Sequence, residues 1–396
     1  MYISRLLEGE IDARLSNKKV LILLGARQVG KTTLIKNHIA CERNTFLNLD
    51  IEVDKQKLLV ASKLPPAEAL KFLDSPDYLV IDEAQRLPET GRIVKGWYDT
   101  ELPVKIILLG SSSLNILNQS AESLTGRNEK LSLTPLTYEE ALAPQGWYSE
   151  SVPREILLDD YREQIAATLE ASMIYGGYPE AVLIAGKKEY LTNLVGDYLL
   201  KDIMQLALVK TPDMVKKLLY LLAMQIGSLV SVSELARSLA ISRETVERYL
   251  ELLEETYVIF RLPAYSTNPR KEISKSQKIF FWDTGVRNAL IGDFAPVSSR
   301  ADIGGLWENW VVAEFAKYNA LNGGLRKLYF WRSRGGGEID IVIKEDEKIS
   351  AFEVKWRKGK RSKADFSSDY RVVPVIINSA DPFIGKFFKV GTNNVE

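Results

Sequence analysis

The pattern of hydrophobic and polar positions changes twice along the 396-residue chain. Over residues 20–150, short apolar runs alternate with amphipathic or polar stretches, which is typical of a parallel sheet with crossover helices. We expect five strands in this region: Val20–Leu24, Thr45–Leu49, Tyr78–Ile81, Val104–Leu109 and Glu129–Leu133.

Helical spacing dominates residues 152–262, where apolar side chains such as Leu218, Leu221 and Leu222 recur on successive turns. Near the end of this region, Ser233 and Ser242 are candidate N-caps of two short helices, and a strand follows them. This order resembles a winged helix-turn-helix. The second helix presents a mixed rather than basic face, made of Arg243, Glu244, Glu247, Arg248 and Glu251. Because acidic groups repel phosphate, we favour internal packing or a lid role over DNA reading.

Strand-like segments return after residue 268, and a helix is expected over Trp307–Lys317. The expected strands are Lys278–Trp282, Lys327–Trp331, Ile339–Ile343, Ile349–Trp356 and Arg371–Ile377. We therefore predict three domains, over residues 1–150, 151–265 and 266–396.

Composition narrows the classes of protein without naming one. Lys plus Arg equal Asp plus Glu at 52 each, so net charge points to neither nucleic acid nor membrane. The single Cys41 excludes a disulfide framework and a multi-thiolate zinc site, and the single His38 excludes a multi-histidine one. No apolar run approaches the ~20 residues that span a bilayer, and Met1–Glu10 lacks the apolar stretch of a signal peptide. We expect a soluble cytoplasmic protein without a membrane partner.

A phosphate-binding motif follows the first predicted strand. Residues 25–32 match the pattern Gly, four residues, Gly-Lys-Ser/Thr between a strand and a helix. The two glycines allow backbone N–H groups to turn toward phosphate oxygens, and Lys31 is suited to neutralise the β and γ phosphates of ATP. Thr32 offers a hydroxyl to Mg²⁺. The expected ATP contacts are Gly25, Ala26, Arg27, Gln28, Val29, Gly30, Lys31, Thr32 and Thr33.

Further polar groups follow the later strands of this region. Asp82, at a strand end, is expected to hold Mg²⁺, and Glu83 to polarise the attacking water. Ser111 and Ser112, after the next strand, are candidates to contact the γ phosphate or that water, or they cap a helix. Arg127 has the position of an arginine finger, with an ordinary surface arginine as the alternative.

Residues 20–145 resemble a P-loop ATPase of the AAA type, with Gly25–Thr32 as Walker A and Asp82-Glu83 as Walker B. The resemblance implies that Ser111 or Ser112 is the polar sensor, although such ATPases commonly carry Asn there. It also implies that Arg127 reaches the nucleotide of a neighbouring subunit, and hence a homo-oligomer.

The charged residues of the third region fall on a predicted β-hairpin over residues 338–356. If its turn pairs Ile343 with Ser350, Asp340 lies opposite Glu353, and Lys355 shares a face with Glu353. Crowded carboxylates favour a cation, so we expect a second Mg²⁺ or Mn²⁺ held by Asp340 and Glu353. Lys355 would then orient water or stabilise the transition state. The alternative is a plain hairpin with a cross-strand ion pair.

This spacing resembles the PD-(D/E)XK nuclease core, and Glu308 in Trp307-Glu308-Asn309-Trp310 resembles the glutamate of that fold's first helix. The resemblance makes Glu308 a further metal ligand. The basic run from Lys355 to Lys363 is suited to a DNA backbone, or it is a solvated loop.

Over residues 18–360 the chain resembles a family of prokaryotic AAA-type ATPases with an appended domain of unknown function. The segments 175–179 (Tyr-Gly-Gly-Tyr-Pro), 201–203 (Lys-Asp-Ile) and 281–285 (Phe-Trp-Asp-Thr-Gly) match its pattern. The fold class implied is α/β: a P-loop ATPase parallel sheet, a helical winged-helix middle domain and a mixed α/β restriction-endonuclease-like domain.

The resemblance fixes the architecture more than the function. From the motifs, our leading hypothesis is a Mg²⁺-dependent ATPase that acts on DNA and couples its nucleotide cycle to the nuclease-like domain. The alternative is a regulatory or signalling ATPase whose C-terminal domain binds a partner without cleaving it.

Overall fold

A computed structural model describes residues 2–110, 124–199, 212–266, 277–333, 337–357 and 366–388. The chain divides into two compact units, Ser4–Thr134 and Pro135–Glu396, the second of which also includes Met1–Ile3. The first boundary therefore lies nearer the amino terminus than residue 150, and residue 265 lies inside the second unit. The division into three domains stays a prediction.

A parallel sheet forms the centre of the unit Ser4–Thr134. Its strands are β1 (Val20–Leu24), β2 (Asn44–Asn48), β3 (Tyr78–Asp82), β4 (Lys105–Gly110) and β5 (Asn128–Ser132). The helices are α1 (Glu8–Leu15), α2 (Lys31–His38), α3 (Glu52–Ala61), α4 (Pro66–Phe72) and α5 (Thr90–Asp99). The strand order is β2-β3-β4-β1-β5 with all pairs parallel, which confirms the predicted sheet. The apolar run of β1 is wholly buried, as expected for a central strand.

The unit that begins at Pro135 is mainly helical in its first part. Its helices there are α6 (Tyr138–Leu142), α7 (Arg154–Asp160), α8 (Arg162–Tyr175), α9 (Pro179–Leu183), α10 (Lys187–Asn193) and α11 (Pro212–Met224). Thr137 and Glu140 form a reciprocal capping box that starts α6.

Two capped helices and a small antiparallel sheet follow. The elements are β6 (Leu229–Val230), α12 (Val232–Leu239), α13 (Arg243–Glu255), β7 (Ile259–Leu262) and β8 (Gln277–Phe281), with the strand order β6-β8-β7. Ser242 caps α13 as predicted, through a 3.1 Å bond from the amide of Thr245. The prediction for Ser233 is wrong, because Ser231 caps α12 and accepts from Glu234 N. The winged helix-turn-helix interpretation stays a prediction.

The last part of the unit packs a long helix against a four-stranded sheet. Its elements are α14 (Thr284–Ile291), α15 (Ile303–Leu321), β9 (Lys327–Arg332), β10 (Glu338–Glu345), β11 (Lys348–Val354), α16 (Phe366–Tyr370) and β12 (Val375–Ile377). The sheet order is β12-β11-β10-β9, and only β11 and β12 are parallel. Phe315 of α15 packs on Phe352 of β11, with ring centroids 4.9 Å apart. The restriction-endonuclease-like interpretation stays a prediction.

The segments 175–179 and 281–285, which the ATPase chemistry does not explain, contact each other. Asp283 caps α14 by accepting from Val286 N at 2.9 Å, and it also accepts from Gly177 N at 2.7 Å. Gly176 has φ +71°, and a Cβ at that position would lie 2.0 Å from Asp283 Oδ1. The Gly-Gly pair thus allows the backbone to approach a buried carboxylate, which is a structural role.

One helical turn of α15 is bonded to several segments of the same unit. Trp307, Glu308, Asn309 and Trp310 each contact a different group. The indole of Trp307 donates to the carbonyl of Lys355, and Glu308 accepts from the ammonium of Lys278. The side-chain amide of Asn309 bonds to the backbone of Phe281, and the indole of Trp310 donates to the hydroxyl of Ser172. The turn therefore connects α8, β8 and β11. Within the described ranges, no helix has both the length and the apolar content needed to cross a bilayer.

Candidate functional site

The phosphate-binding loop lies between β1 and α2, and its backbone departs from ordinary conformations. Gly25 has φ +155° and Gly30 has φ +97°, while Gln28 is held at φ +62° without being glycine. A Cβ on Gly25 would lie 2.1 Å from the carbonyl oxygen of Leu133 at the end of β5. The first glycine of the motif is therefore required by close packing inside the sheet as well as by the turn. Ala26 and Val29 are buried.

Lys31 is the first residue of α2, and only 6% of its surface is exposed. Its ammonium donates to the carbonyl oxygens of Gly25 and Ala26 at 2.9 and 2.8 Å. These acceptors are neutral, and a phosphate is a stronger partner for an ammonium than a carbonyl is. The Lys31 ammonium is therefore suited to bind an anionic ligand such as a phosphate at this loop. Thr33, also predicted to contact ATP, is exposed on the next position of the helix.

Thr32 and Asp82 meet across the sheet edge. The hydroxyl of Thr32 donates to Asp82 Oδ2 at 2.6 Å, although the two residues are 50 positions apart. Asp82 is buried, and its other oxygen accepts from Glu83 N at 2.9 Å. A hydroxyl in the first turn of α2 and a carboxylate at the carboxyl end of β3 are oxygen ligands of the kind that Mg²⁺ takes beside phosphates. These residues fit the predicted magnesium site.

Glu83 has a strained backbone and a partly desolvated carboxylate. Its φ of +52° is unusual for a residue with a side chain. Burial raises the pKa of Glu83, and the positive charges of Lys31 and Arg27 offset this only in part. Gln85 Nε2 donates to Glu83 Oε2, which fixes the direction of the carboxylate. A desolvated, oriented carboxylate is a better general base than an exposed one.

Several groups around the loop escaped sequence analysis. Asp50 pairs with Arg27 of the loop at 3.5 Å and with Arg86, which follows Walker B, at 2.6 Å. The buried guanidinium of Arg5 donates to Val29 O at 2.9 Å and to Thr134 O at 2.8 Å. Gln85 and Arg86 follow Asp82-Glu83 after a single alanine, so the sequence alone could have pointed to them. Arg5 gave no local signal, because its partners are far along the chain.

Arg127 lies at the opposite end of the strands from the phosphate-binding loop. Its carbonyl accepts from Val20 N, at the start of β1, whereas the phosphate-binding loop follows the end of that strand. The guanidinium forms a two-point contact with Asp99, with distances of 2.6 and 3.3 Å. Arg127 therefore does not reach the loop of its own chain. Its role as a finger toward another subunit stays a prediction.

Some predicted residues lie outside the described part of the chain. These are Ser111 and Ser112, the Lys201-Asp202-Ile203 segment, and the basic run beyond Arg357 up to Lys363. The sensor prediction and the DNA-backbone prediction are therefore not tested by geometry.

The C-terminal hairpin has the predicted register, because Ile343 pairs with Ser350. Asp340 accepts from Val354 N at 2.7 Å, which ties it to the end of β11 beside Glu353. Burial raises the pKa of Asp340, and its bond to Val354 and the charges of Lys278 and Lys355 oppose that rise. Glu353 is 1% exposed, and Lys355 Nζ lies 3.9 Å from its carboxylate.

Glu308 contacts a lysine that sequence analysis did not consider. Lys278 of β8 lies 2.7 Å from Glu308 and 2.5 Å from Glu338. Burial raises the pKa of Glu308 to about 7, with the nearby Asp340 and Glu338 charges adding to that rise and Lys278 opposing it. In the described ranges, no group of three or more His, Cys, Asp or Glu side chains is arranged to hold a metal ion. The second metal at Glu308, Asp340 and Glu353 stays a prediction.

The exposed side of α13 carries excess negative charge. Arg261 of β7 pairs with Glu247 at 2.9 Å and with Glu254 at 2.7 Å. Burial, together with the charges of Glu251 and Glu254, raises the pKa of Glu255 to about 7. Such a surface disfavours phosphate contact.

Comparison with known proteins agrees with this geometry in the first unit. Residues 17–142 match a family model described as an AAA domain. Residues 166–296 and 303–375 match models described as domains of unknown function, DUF8612 and DUF4143. The chain is 27% identical to an uncharacterized protein of Mycobacterium tuberculosis over 342 residues, covering 85% of this chain and 70% of the relative. An uncharacterized protein of Methanocaldococcus jannaschii is 26% identical over 372 residues, covering 87% of this chain and 77% of that relative.

Among solved structures, a Walker-type ATPase of Pyrococcus abyssi is similar with a TM-score of 0.50 and 19% identity. The match covers 73% of this chain and 96% of that one. Together with the AAA-domain match, this likeness shows that the first unit has a P-loop ATPase fold.

Proposed function

We propose that the protein is a Mg²⁺-dependent ATPase that hydrolyses ATP at the loop between β1 and α2. The observation that carries the proposal is the 2.6 Å bond between Thr32 and Asp82. It brings together the hydroxyl of Walker A and the carboxylate of Walker B, next to the buried Lys31. Mg²⁺, which Thr32 and Asp82 would hold, supplies positive charge beside the β and γ phosphates.

In this mechanism the residues of the chain position the reactants and move one proton. The loop amides and Lys31 bind the phosphates, and Glu83 accepts a proton from the water that attacks the γ phosphorus. The bond between the γ phosphorus and the β–γ bridging oxygen breaks as the new bond to water forms, so that ADP leaves and inorganic phosphate is released. Gln85 keeps the Glu83 carboxylate oriented through its amide.

ATP binding by Lys31→Ala tests the assignment. Loss of the charged partner should weaken binding of a fluorescent ATP analogue roughly 10- to 100-fold. Lys36→Ala is the matched control, because Lys36 lies on the same helix and packs over the ring of Phe46. Equal affinity of the two variants would remove the ATP site from this loop.

We also propose that Arg127 acts on the nucleotide of another subunit. This role requires the guanidinium to leave Asp99 when two copies meet. When Arg127→Ala and Lys31→Ala proteins are mixed, some interfaces pair the intact loop of one variant with the intact Arg127 of the other. These mixed interfaces should regain ATPase activity. Residual rates that merely add, from a protein that stays monomeric with ATP, would assign Arg127 to the surface pair.

For the C-terminal part, the contacts favour the regulatory ATPase over the DNA-cleaving one. Glu308, one of the candidate metal ligands, is bonded to Lys278, and α13 presents a mixed and acidic face. The second candidate function is therefore an ATPase whose C-terminal part binds a partner without cleaving DNA. Incubation with plasmid or branched DNA and Mn²⁺ should leave the DNA intact. Cleavage that Asp340→Ala abolishes would instead establish the nuclease.

A further inference from the structure

Lys278 is a buried cation that contacts three separate elements. It is the second residue of β8, the central strand of the sheet β6-β8-β7, and its side chain is 3% exposed. Its ammonium contacts Glu308 of α15 and Glu338 of β10. The ring of Phe330 in β9 lies below it, with the centroid 5.7 Å away. The lysine therefore joins the small sheet to both the helix and the large sheet.

The charge of this lysine is retained because of its two partners. Burial alone would lower the pKa of Lys278, but the carboxylates of Glu308 and Glu338 more than offset that effect and raise it. A buried ammonium without such partners would be strongly unfavourable. The two partly buried carboxylates gain from the same contact, since a positive charge between them offsets their mutual repulsion.

The surroundings of Glu308 are closely packed on the side of the turn before β6. A Cβ on Gly227 would lie 3.0 Å from Glu308 Oε2, and one on Gly305 would lie 2.8 Å from Ile226 O. Next to Glu308, the amide of Asn309 donates to Phe281 O at 2.9 Å and accepts from Phe281 N at 2.8 Å. The carboxylate is thus enclosed by the same elements that the lysine joins.

We infer that Lys278 is the resident cation of the pocket formed by Glu308, Glu338 and Asp340. It occupies the electrostatic role that a divalent ion would have there, and it fastens β8 to α15 and β10. A metal ion would have to displace an ammonium that is already bonded to two carboxylates. The pocket is therefore a structural junction that takes no divalent ion.

This inference rests on the non-cleaving function proposed above, but it is tested through folding and ion binding rather than through cleavage. The experiment uses the full chain carrying Asp82→Asn, without nucleotide, so that the Walker residues do not hold metal. Its melting temperature should be the same in millimolar Mn²⁺ and in EDTA. Stabilisation by Mn²⁺ that Glu308→Gln removes would overturn the inference.

In the same background, Lys278→Met should lower the melting temperature by roughly 10 °C, because it leaves the partly buried carboxylates of Glu308 and Glu338 without their cation. Lys327→Met is the matched control, since Lys327 is exposed at the start of β9. The double variant Lys278→Met/Glu308→Gln should recover part of the loss. A Lys278→Met protein as stable as the control would overturn the inference even if no DNA is cleaved.

If Lys278→Met does not fold, Glu338→Gln provides the milder change, because the Glu338 side chain is 29% exposed and Glu308 remains bonded to Lys278. It should lower the melting temperature more than Glu347→Gln in the exposed β10–β11 turn. Equal stability of these two variants would also overturn the inference.

Discussion

Two regions of the molecule combine lysine with carboxylates, and they differ in what the charged groups contact. At the Walker loop, Lys31 donates to two neutral carbonyls, and Asp82 accepts from a hydroxyl and an amide. In the C-terminal pocket, Lys278 contacts two carboxylates directly. An ammonium that donates to carbonyl oxygens gains from contact with a phosphate, whereas one already bonded to two carboxylates gains less from a further anion. The same residue types therefore indicate a ligand site in one region and a structural junction in the other.

The largest effect that we expect concerns the base at the Walker loop. Glu83→Gln should lower the rate of ATP hydrolysis roughly 100-fold or more, because the amide keeps the shape but cannot accept the proton. ATP binding should persist. Steady-state phosphate release and analogue binding measure the two properties, with Glu89→Gln as a control outside the site. Unchanged turnover would make Glu83 a structural residue and weaken the contrast with the C-terminal pocket.

The same substitution made in both regions sharpens the comparison. Asp82→Asn should lower ATP hydrolysis roughly 10-fold or more, because it removes a charge expected on Mg²⁺. Asp340→Asn should leave hydrolysis within about twofold, since its oxygen can still accept from Val354 N and no ligand depends on its charge. Phosphate release over a Mg²⁺ titration measures both. An equal loss in the two variants would mean that the C-terminal pocket takes part in the reaction.

Positioning by Gln85 should have a smaller effect than loss of the base itself. Gln85→Ala removes the amide that orients Glu83, so we expect a fall in kcat of about 10-fold with little change in KM. Gln85→Asn is a shorter amide that should restore only part of the rate. A change confined to KM would indicate that Gln85 serves ATP binding instead.

The smallest effect that we expect concerns Glu255 of α13, a carboxylate that lies near the negative charges of Glu251 and Glu254. The pKa of Glu255 is raised to about 7, so its protonated form is favoured in the folded state. Its contribution to stability is present at about pH 4 and is lost as the pH rises through 7. At about pH 8, Glu255→Gln should stabilise the protein by about 1 kcal/mol, after allowance for solvent screening.

Thermal melts across this pH range measure the effect, and the two proteins should converge at low pH. Glu244→Gln, exposed on the same helix, is the control and should shift the curve little. An equal gain at all pH values would assign the effect of Glu255→Gln to helix propensity instead of charge.

Local patterns predicted much of this molecule. The run Val20–Leu24 is β1 residue for residue, and the hairpin register that pairs Ile343 with Ser350 is as expected. Both depend on neighbours in the sequence: continuous burial in the first case and alternation around a short turn in the second. The Walker residues were found for the same reason, since loop, lysine and threonine are contiguous.

What sequence analysis missed depends on distant or competing partners. Lys278 meets Glu308 and Glu338 only after three elements have packed, so no spacing along the chain announces it. Sequence analysis placed the cap of α12 at Ser233, whereas Ser231 is the cap, and Glu234 three residues later gives Ser231 the capping-box spacing.

The bonded turn of α15 also determines which pieces of the chain can be separated. A fragment cut to residues 303–375, where one family model matches, would keep Glu308 and Asn309 but leave Lys278 and Phe281 behind. Its carboxylates would lose their ammonium, and apolar surface of the helix would face water. A fragment that begins at Pro135 retains every partner of the turn. The segment that matches the family model is therefore shorter than the segment that we expect to fold when it is separated from the rest of the chain.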